Sequence, residues 1–487
     1  MSIALFRAKP SAARVWTWAQ ARPAPIAVAM LLVVYAGYLP NSGFHRLYYD
    51  SSQYWELGRQ YGKTGAFELL SFGSSMRGYL LPLLLAPFAI AGPHIGWEPV
   101  DLMRPLGVAT AALLFGALGP ALWRAAVGAG APEVSLSRRL VFGALGFVLW
   151  RDYFNFPLSD FPALCALATA LWAILSGRSV LSGVLAGLAL GASANMRPVF
   201  MAALPFAGLL ALLPRPAATD TGSAPTRRMA WAWRGGIAAG LAMVLAPQVA
   251  INAHNAGVYS PWVLARVLSN PTNLYMQQLE WGLQFQKYET NVGSDLLGAQ
   301  MFFLDPNGAA VFASAHLLRF DNLAQYLALA KQQPLAVLGV WARHLFNGLD
   351  LQYPSPYIKK VYVVSWPLAW LNYTVLLGGT VVLLTKAWRS ALRLRPWLVL
   401  ATLLMPCLGA LPVAMECRFL LPLHLLLSAA VAFGAQPLRS WRAAAGTRRV
   451  ALVAGYILLV AAAFWVSSNC KSRLDMAPRN LLGTAAL

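Results

Sequence analysis

Charged residues are scarce in this chain, and acidic residues are the scarcest among them. Asp, Glu, Lys and Arg make up 11% of the 487 residues, whereas 58% are hydrophobic. That share of apolar residues is too high for a soluble domain of this length. Only 17 residues are acidic and 38 are basic, a formal net charge of +21. We nevertheless expect no nucleic-acid partner, because the basic residues lie at the ends of apolar runs and no nucleic-acid motif occurs.

Cysteine is also rare, and its spacing gives no indication of a metal or redox centre. The four cysteines form no CxxC pair and have no histidine at metal-ligand spacing. Cys165 and Cys407 fall inside apolar runs, which is typical of core packing. Cys417 and Cys470 fall in segments that we predict to share one side of a membrane, so a disulfide between them is an alternative to two free thiols.

Long apolar runs are abundant, and their length is typical of transmembrane helices. The first run follows a basic tail and ends in a poor cleavage site, so we interpret it as a retained helix and not as a signal peptide. The sequence predicts an all-α polytopic membrane protein with about 11 transmembrane helices, at 24–40, 105–123, 140–150, 161–177, 180–195, 199–214, 235–252, 361–385, 396–414, 419–435 and 450–468.

The basic residues predict the orientation of these helices. Twenty of the 38 Lys and Arg residues lie in six short segments that hold only two of the 17 acidic residues: 1–23, 124–139, the stretch around Arg178, 215–234, 386–395 and 439–449. Loops rich in Lys and Arg stay in the cytoplasm. We therefore expect a protein of the cytoplasmic (inner) membrane with a cytoplasmic N-terminus, and with most carboxylates on the outer, periplasmic face.

One further apolar run, 78–93, is predicted not to cross the membrane. It has three prolines in 16 residues, and a crossing here would place every later basic loop outside. We expect a re-entrant or surface-lying segment.

The predicted spans divide the chain into three parts. An N-terminal transmembrane module, 1–252, contains a long first outer loop, 41–104, with surface helices. An outer soluble region, 253–360, is predicted to be helical in part, with a break at Pro334. A C-terminal transmembrane module covers 361–487.

Two acidic residues near predicted helix starts are candidates for chemistry. Asp50 stands at the start of an amphipathic stretch in the first outer loop, and Asp160 stands directly before a span. Each has a structural alternative, because Asp is a favoured helix N-cap. At Asp50 the alternative includes a capping box closed by Gln53.

Three charged residues at the outer edge of the spans form a second group. Arg197 is either an interfacial side chain that reaches toward water or a phosphate clamp, because guanidinium matches phosphate oxygens. Glu416 and Arg418 share a short turn, where charges near hydrocarbon are costly and are expected to pair or to function. His424, about one turn further in, is interpreted as a core histidine.

These segments together resemble the GT-C superfamily of integral membrane glycosyltransferases, in particular protein O-mannosyltransferases, lipid A aminoarabinose transferases and their bacterial relatives. The stretch "YYDSSQYWELG" is similar to the first-loop motif, with Asp50 at the acid, and "FPLSDFPALCALATALW" to the second, with Asp160 at the acid. "NMRPVF" at Arg197 and "ECRFLLPLHLLL" at Glu416 and Arg418 resemble later motifs.

The resemblance implies a glycosyltransferase that moves a sugar from a polyprenyl-phosphate donor to a hydroxyl of a glycan, lipid or protein acceptor. Asp50 would be the base and Asp160 a second catalytic acid, and Arg197, Glu416, Arg418, Arg77 and Tyr54 would bind substrate. No cofactor is expected, although a divalent metal held by two acids, as in oligosaccharyltransferases of the superfamily, is an alternative.

The chain departs from the family pattern at two positions. Ser51 follows Asp50 where many relatives have Glu, and Arg77 is only the nearest candidate for a basic residue that often precedes a proline late in the first loop.

Three other functions compete with this one. A lipid-linked glycan ligase or polymerase would rely on outer Arg and His residues, which makes His424 a discriminating position. A transporter or flippase of lipid-linked sugars would keep charges inside its spans. A structural membrane subunit would use the outer region only to bind a partner.

Overall fold

The computed structural model describes residues 20–128, 131–214, 227–267, 270–296, 300–317, 319–389, 394–436, 441–442 and 445–475. Its first half is helical: α1 (Pro23–Tyr38), α2 (Tyr49–Gln60), α3 (Leu80–Ile95), α4 (Pro99–Leu113), α5 (Gly119–Val127), α6 (Leu136–Trp150), α7 (Asp160–Ser176), α8 (Val180–Met196), α9 (Leu204–Leu212) and α10 (Arg227–Ala256). A π-helical turn, Leu114–Leu118, joins α4 to α5 in one continuous helix.

The second half adds strands to the helices. The helices are α11 (Leu274–Gln284), α12 (Pro306–Ser314), α13 (Leu323–Gln332), α14 (Pro334–Leu349), α15 (Trp366–Arg389), α16 (Leu394–Ala410), α17 (Leu421–Ala429) and α18 (Gly446–Lys471). The strands are β1 (Arg266–Val267), β2 (Asn270–Asn273), β3 (Phe285–Asn291), β4 (Gln300–Leu304), β5 (Tyr357–Ile358) and β6 (Leu474–Asp475).

The helices are those of a membrane-embedded protein. Among the described residues, six helices are long and apolar enough to cross a bilayer: Pro23–Asn41, Pro99–Val127, Arg227–Ala256, Trp366–Thr385, Cys417–Gly434 and Gly446–Lys471. Each of the other predicted runs also overlaps a helix, but these helices are shorter. The mainly helical, membrane-embedded class is therefore confirmed, whereas the count of eleven spans stays a prediction.

The connections between the long helices gather at two ends of the bundle. At one end, which we call the basic end, Arg395 Nη2 donates to the carbonyl of Pro214 at 3.2 Å and Arg138 donates to that of Phe433. At the other, the site end, the 3₁₀ turn Arg151–Asn155 meets the 253–360 region, with Asp152 N donating to Pro354 O at 3.1 Å. All acids proposed for function lie at the site end.

Close glycine contacts fix α8 against α10. A Cβ at Gly187 would lie 2.0 Å from Ile237 O, and one at Gly240 would lie 2.1 Å from Val184 O. Small residues at this spacing let helix backbones approach closely, which is how membrane helices gain packing energy. The contact sets the position of the C-terminal end of α8, where Arg197 follows.

The 253–360 region contains a sheet that the sequence analysis did not predict. β3 and β4 pair antiparallel, β4 pairs antiparallel with β6, and β3 pairs in parallel with β5, in the order β5-β3-β4-β6. β6 follows α18, so the C-terminal part of the chain completes this sheet. The predicted break at Pro334 is confirmed, because α13 ends at Gln332 and α14 begins at Pro334.

The run 78–93 forms α3, which packs along α2. A Cβ at Gly58 would lie 3.1 Å from Pro82 O and 3.4 Å from the Leu85 and Ala89 side chains. Sixteen residues span about 24 Å, less than the hydrocarbon thickness of a bilayer. In the predicted topology, α2 and α3 are two helices of the same outer loop that pack on each other. That α3 does not span the membrane stays a prediction.

Three structural alternatives from the sequence are wrong. The N-cap of α2 is Tyr48 and that of α7 is Ser159, so neither Asp50 nor Asp160 is a cap. Both carboxylates instead face guanidinium groups from distant segments, which are stronger partners than a backbone amide. Cys417 and Cys470 are free thiols, and Cys417 Sγ lies 3.3 Å from Asp350 O.

Candidate functional site

Asp50 is held in place by an unusual start of α2. The Tyr48 amide donates to Ser51 Oγ at 2.9 Å, and this hydroxyl donates back to Tyr48 O at 2.6 Å. Between them Tyr49 has a φ of +39°, a left-handed backbone conformation that residues other than Gly and Asn rarely adopt. The turn places the Asp50 carboxylate away from the helix backbone and toward the centre of the site end.

Two arginines bind the Asp50 carboxylate. Arg77 Nη2 donates to Asp50 Oδ1 at 2.7 Å, and Arg418 Nη2 donates to Oδ2 at 3.2 Å. Arg77 also donates from Nε to Gln53 Oε1 at 3.2 Å. The two guanidiniums come from positions 27 and 368 residues away in the chain, so only folding brings them to Asp50.

Asp160 forms the deeper part of the same cluster. Its side chain is almost fully buried, Arg197 donates to Oδ1, and Arg418 Nη1 lies 3.7 Å from Oδ2. The Arg197 guanidinium also stands over the ring of Phe419, with Cζ 5.2 Å from the centroid. Asp160 therefore orients two arginines and has little open surface of its own.

Glu416 is the third carboxylate of the cluster. Arg418 binds it with two contacts, Nε to Oε2 at 2.5 Å and Nη2 to Oε1 at 3.0 Å. Arg418 thus contacts Asp50, Asp160 and Glu416 at once, which makes it the central cation of the site.

The environment shifts the pKa values of Asp50 and Glu416 in opposite directions. Burial raises the pKa of Asp50, but Arg77 and Arg418 outweigh burial and lower this pKa to about 2. Burial raises the pKa of Glu416 to about 7, against the opposing effect of Arg418 and with support from the charges of Asp50 and Asp160. Acids whose pKa values are pushed apart in this way are a feature of functional sites.

The seven side chains predicted from the sequence lie together. Asp50, Asp160 and Glu416 interleave with Arg77, Arg197 and Arg418, and the charges balance when all six are ionised. Tyr54 lies beneath the cluster, with the Arg77 Cζ 5.1 Å from its ring centroid. Tyr54 is almost fully buried, so it supports Arg77 and does not line open space.

Two tyrosines of the cluster were missed by the sequence analysis. The buried Tyr357 of β5 donates its hydroxyl to Tyr48 O at 2.7 Å and accepts from Ser51 N at 3.3 Å. Tyr288 of β3 faces the acids, and burial together with the charges of Glu416 and Asp50 raises its pKa. The chain has 17 tyrosines, and nothing in the local sequence distinguishes these two.

An apolar cavity of about 420 Å³ lies in the helix bundle below the charged cluster. It is lined by residues of the π-helical turn, α5–α7 and α15–α17. Leu164 and Pro422 lie four residues after Asp160 and Arg418, whereas Pro396 is next to Arg395 at the basic end. No residue of the charged cluster lines the cavity, which extends from beneath the cluster toward the basic end.

The chemistry of the arrangement is anion binding beside an apolar space. Three guanidiniums can exchange carboxylate oxygens for phosphate oxygens, which have the same bidentate geometry. Within the described part of the chain, no group of three or more His, Cys, Asp or Glu side chains is arranged to hold a metal ion. Comparison of the chain with protein-family models, with curated proteins and with solved structures gave no match.

Proposed function

We propose that the protein is a membrane glycosyltransferase of the GT-C type, which transfers a sugar from a polyprenyl-phosphate donor to an acceptor hydroxyl. The observation that supports this most is the position of Asp50, whose carboxylate is bound by Arg77 at 2.7 Å and by Arg418 at 3.2 Å. In this proposal the site end faces the periplasm, eleven helices span the cytoplasmic membrane, and the donor's phosphate binds at the charged cluster.

Donor binding would rearrange the ion pairs of the cluster. A phosphodiester brought to Arg77, Arg197 and Arg418 competes with the carboxylates for their N–H groups. As Arg77 and Arg418 turn to the phosphate, Asp50 loses the cations that hold its pKa near 2 and becomes a better base. Asp50 is the most open of the three acids, with 32% of its side chain exposed, so an acceptor can reach it.

The reaction is a single displacement. The Asp50 carboxylate takes the proton of the acceptor hydroxyl as its oxygen bonds to the anomeric carbon. The bond from that carbon to the phosphate oxygen breaks, and polyprenyl phosphate leaves with an added negative charge. The arginines stabilise this charge in the transition state, and Asp160 and Glu416 orient the arginines or bind sugar hydroxyls. The mechanism uses no cofactor; a divalent metal is the alternative.

The glycan ligase is the rival function for which one residue is decisive. Such an enzyme would use His424, but this side chain is buried and its Nε2 lies 2.9 Å from Gly348 O. His424 therefore has a structural partner and stands apart from the acid–arginine cluster. A transporter is distinguished from a transferase by following labelled polyprenyl-phosphate sugar in vesicles that contain the purified protein.

Asp50→Asn tests the proposal directly. The substitution keeps the shape of the side chain but removes the base, so transfer should fall by at least about a hundredfold, the usual effect of losing a general base. The assay is transfer from a radiolabelled donor in membranes, with the amount of inserted protein measured in parallel.

Glu56→Gln is the matched control. Glu56 lies on the same helix and pairs with Arg59 at 3.2 Å, but both side chains of that pair are exposed. Its loss should leave transfer unchanged. Wild-type turnover by Asp50→Asn would remove Asp50 from the chemistry and with it the proposed mechanism.

A further inference from the structure

The C-terminal turn of α14 lies among membrane-spanning helices. Leu349 packs on a cluster that includes Cys407 of α16, and Asn372 Nδ2 of α15 donates to Leu349 O at 2.7 Å. His424 Nε2 contacts Gly348 O at 2.9 Å. These partners lie in the turns of α15, α16 and α17 that are nearest the site end, so the end of α14 meets those turns.

The depth of this contact can be measured from Trp366 and Trp370. Both are exposed near the start of α15, which is where tryptophans sit at a membrane interface. Asn372 follows Trp366 by six residues and Trp370 by two, or about 9 and 3 Å along the helix axis. The Leu349 carbonyl that Asn372 binds is therefore about 3–9 Å deeper than the level of these tryptophans.

One side of α14 is apolar and has no protein cover. Leu335, Leu338 and Leu345 are 83%, 54% and 39% exposed, and the exposed Ala342 lies between the last two. The spacing 335, 338, 342 and 345 forms one stripe on a helix. No charged residue lies in the stripe. Arg343, on another side of α14, has a 32% exposed side chain and pairs with Asp305 at 2.7 Å, and the exposed Lys331 precedes the N-terminal end of the helix.

We propose that this stripe contacts the lipid of the same bilayer that contains the spanning helices. Because Leu349 lies just below the level of Trp366 and Trp370, Leu345, about 6 Å back along α14, is nearest the acyl chains and Leu335, about 15 Å further along, is furthest from them. The 253–360 region is thus not wholly aqueous; α14 is its membrane-dipping helix.

The proposal does not depend on a glycosyltransferase activity. It does explain how the charged cluster is kept at the membrane surface. Cys417 Sγ lies 3.6 Å from Asn347 O of α14, and Phe419 packs with the helices of the 253–360 region. A lipid-anchored α14 would hold the Glu416–Arg418 turn at a fixed depth.

Cysteine accessibility in a bilayer tests the proposal. Leu335→Cys and Leu338→Cys change mainly exposed side chains and Leu345→Cys one that is 39% exposed, so the loss of packing is partial and the fold should persist. The full-length variants are placed in vesicles of phosphatidylcholine and phosphatidylglycerol and treated with a charged maleimide. We expect Leu345→Cys to react at least about tenfold slower than Ser294→Cys, because a thiol in lipid does not ionise, with Leu335→Cys in between.

Two control positions set the range of labelling rates. Ser294 is exposed in the same region of the chain and gives the rate in water, and Leu458 is exposed on the apolar helix α18 and gives the rate in lipid. The unsubstituted chain reports its own four cysteines, and all variants should react equally once denatured in detergent. Equal rates for Leu345→Cys and Ser294→Cys in vesicles would overturn the proposal. So would slow labelling that becomes fast at low protein-to-lipid ratio, because a second copy of the chain would then be the cover.

Discussion

At the scale of single residues, the charge balance of the cluster is its main property. Three arginines and three carboxylates neutralise one another when all are ionised. A phosphodiester adds one negative charge, which a partly buried site tolerates poorly. Glu416 can compensate for the added negative charge, because burial raises its pKa to about 7 and it can take up a proton when the anion binds.

Donor affinity should therefore depend on pH through Glu416. Below about pH 7 Glu416 is protonated, the cluster carries one more positive charge, and the donor should bind more tightly. We expect the donor KM to fall several-fold from about pH 8 to about pH 6, because one charge at this distance is worth roughly 1–4 kcal/mol. The measurement is the donor KM across this range.

Glu416→Gln is the control for that pH dependence. Glutamine mimics the protonated acid, so the variant should keep a low donor KM with no slope in this window. The donor is a phosphodiester and adds no slope of its own, and before the donor binds Asp50, with a pKa of about 2, is ionised throughout this range. An unchanged slope in Glu416→Gln would assign the titration to another group.

At the scale of elements, the contact of β5 with the start of α2 controls Asp50. Tyr357 donates to Tyr48 O and accepts from Ser51 N. Tyr49, which lies between these two contacts and directly precedes Asp50, has a left-handed backbone. A strained backbone of this kind persists only when its surroundings hold it. The sheet of the 253–360 region therefore fixes an acid of the first loop.

Tyr357→Phe should lower kcat about tenfold and leave donor KM nearly unchanged, since two hydrogen bonds of roughly 1 kcal/mol each are lost. In a Tyr49→Gly background the same change should cost less than about threefold, because glycine adopts a positive φ without strain. The wild-type protein, Tyr357→Phe, Tyr49→Gly and the double variant are compared by kcat and donor KM. Equal losses in both backgrounds would show that Tyr357 does not act through the Tyr49 backbone.

The α8–α10 contact offers a second test on this scale. Gly240→Ala places a methyl 2.1 Å from Val184 O and should lower the free energy of unfolding by about 1–3 kcal/mol. Gly235→Ala, on the same helix with nothing within 4 Å of the new methyl, should not lower it. Thermal unfolding in detergent compares the two. Similar melting temperatures would mean that this contact contributes nothing to stability.

At the scale of the whole molecule, the separation of the two ends predicts sidedness. Lys63, in the first loop, and Arg178, at the basic end, are both exposed. In intact cells, Lys63→Cys should react with an impermeant thiol reagent, whereas Arg178→Cys should react only after the membrane is permeabilised. The reverse pattern would place the charged cluster in the cytoplasm and exclude a periplasmic acceptor.

Helix positions and the identity of the charged residues were determined by the sequence itself. Apolar length is a local property, so each predicted run overlaps a helix, and the break at Pro334 follows from a missing amide. Charges beside long apolar runs are costly, which is why Glu416 and Arg418 were conspicuous before their partners were known, whereas Asp50 was conspicuous as the start of an amphipathic stretch.

Only the tertiary structure decided what those residues contact. Asp is both a good helix cap and a good partner for arginine, and the choice depends on Arg418, which lies 368 residues from Asp50. Tyr357 and the four-stranded sheet gave no local signal, since the strands pair across long separations and tyrosine is common in the chain. Local hydrophobicity sets where the chain enters and leaves the bundle; long-range ion pairs and hydrogen bonds set which side chains meet there.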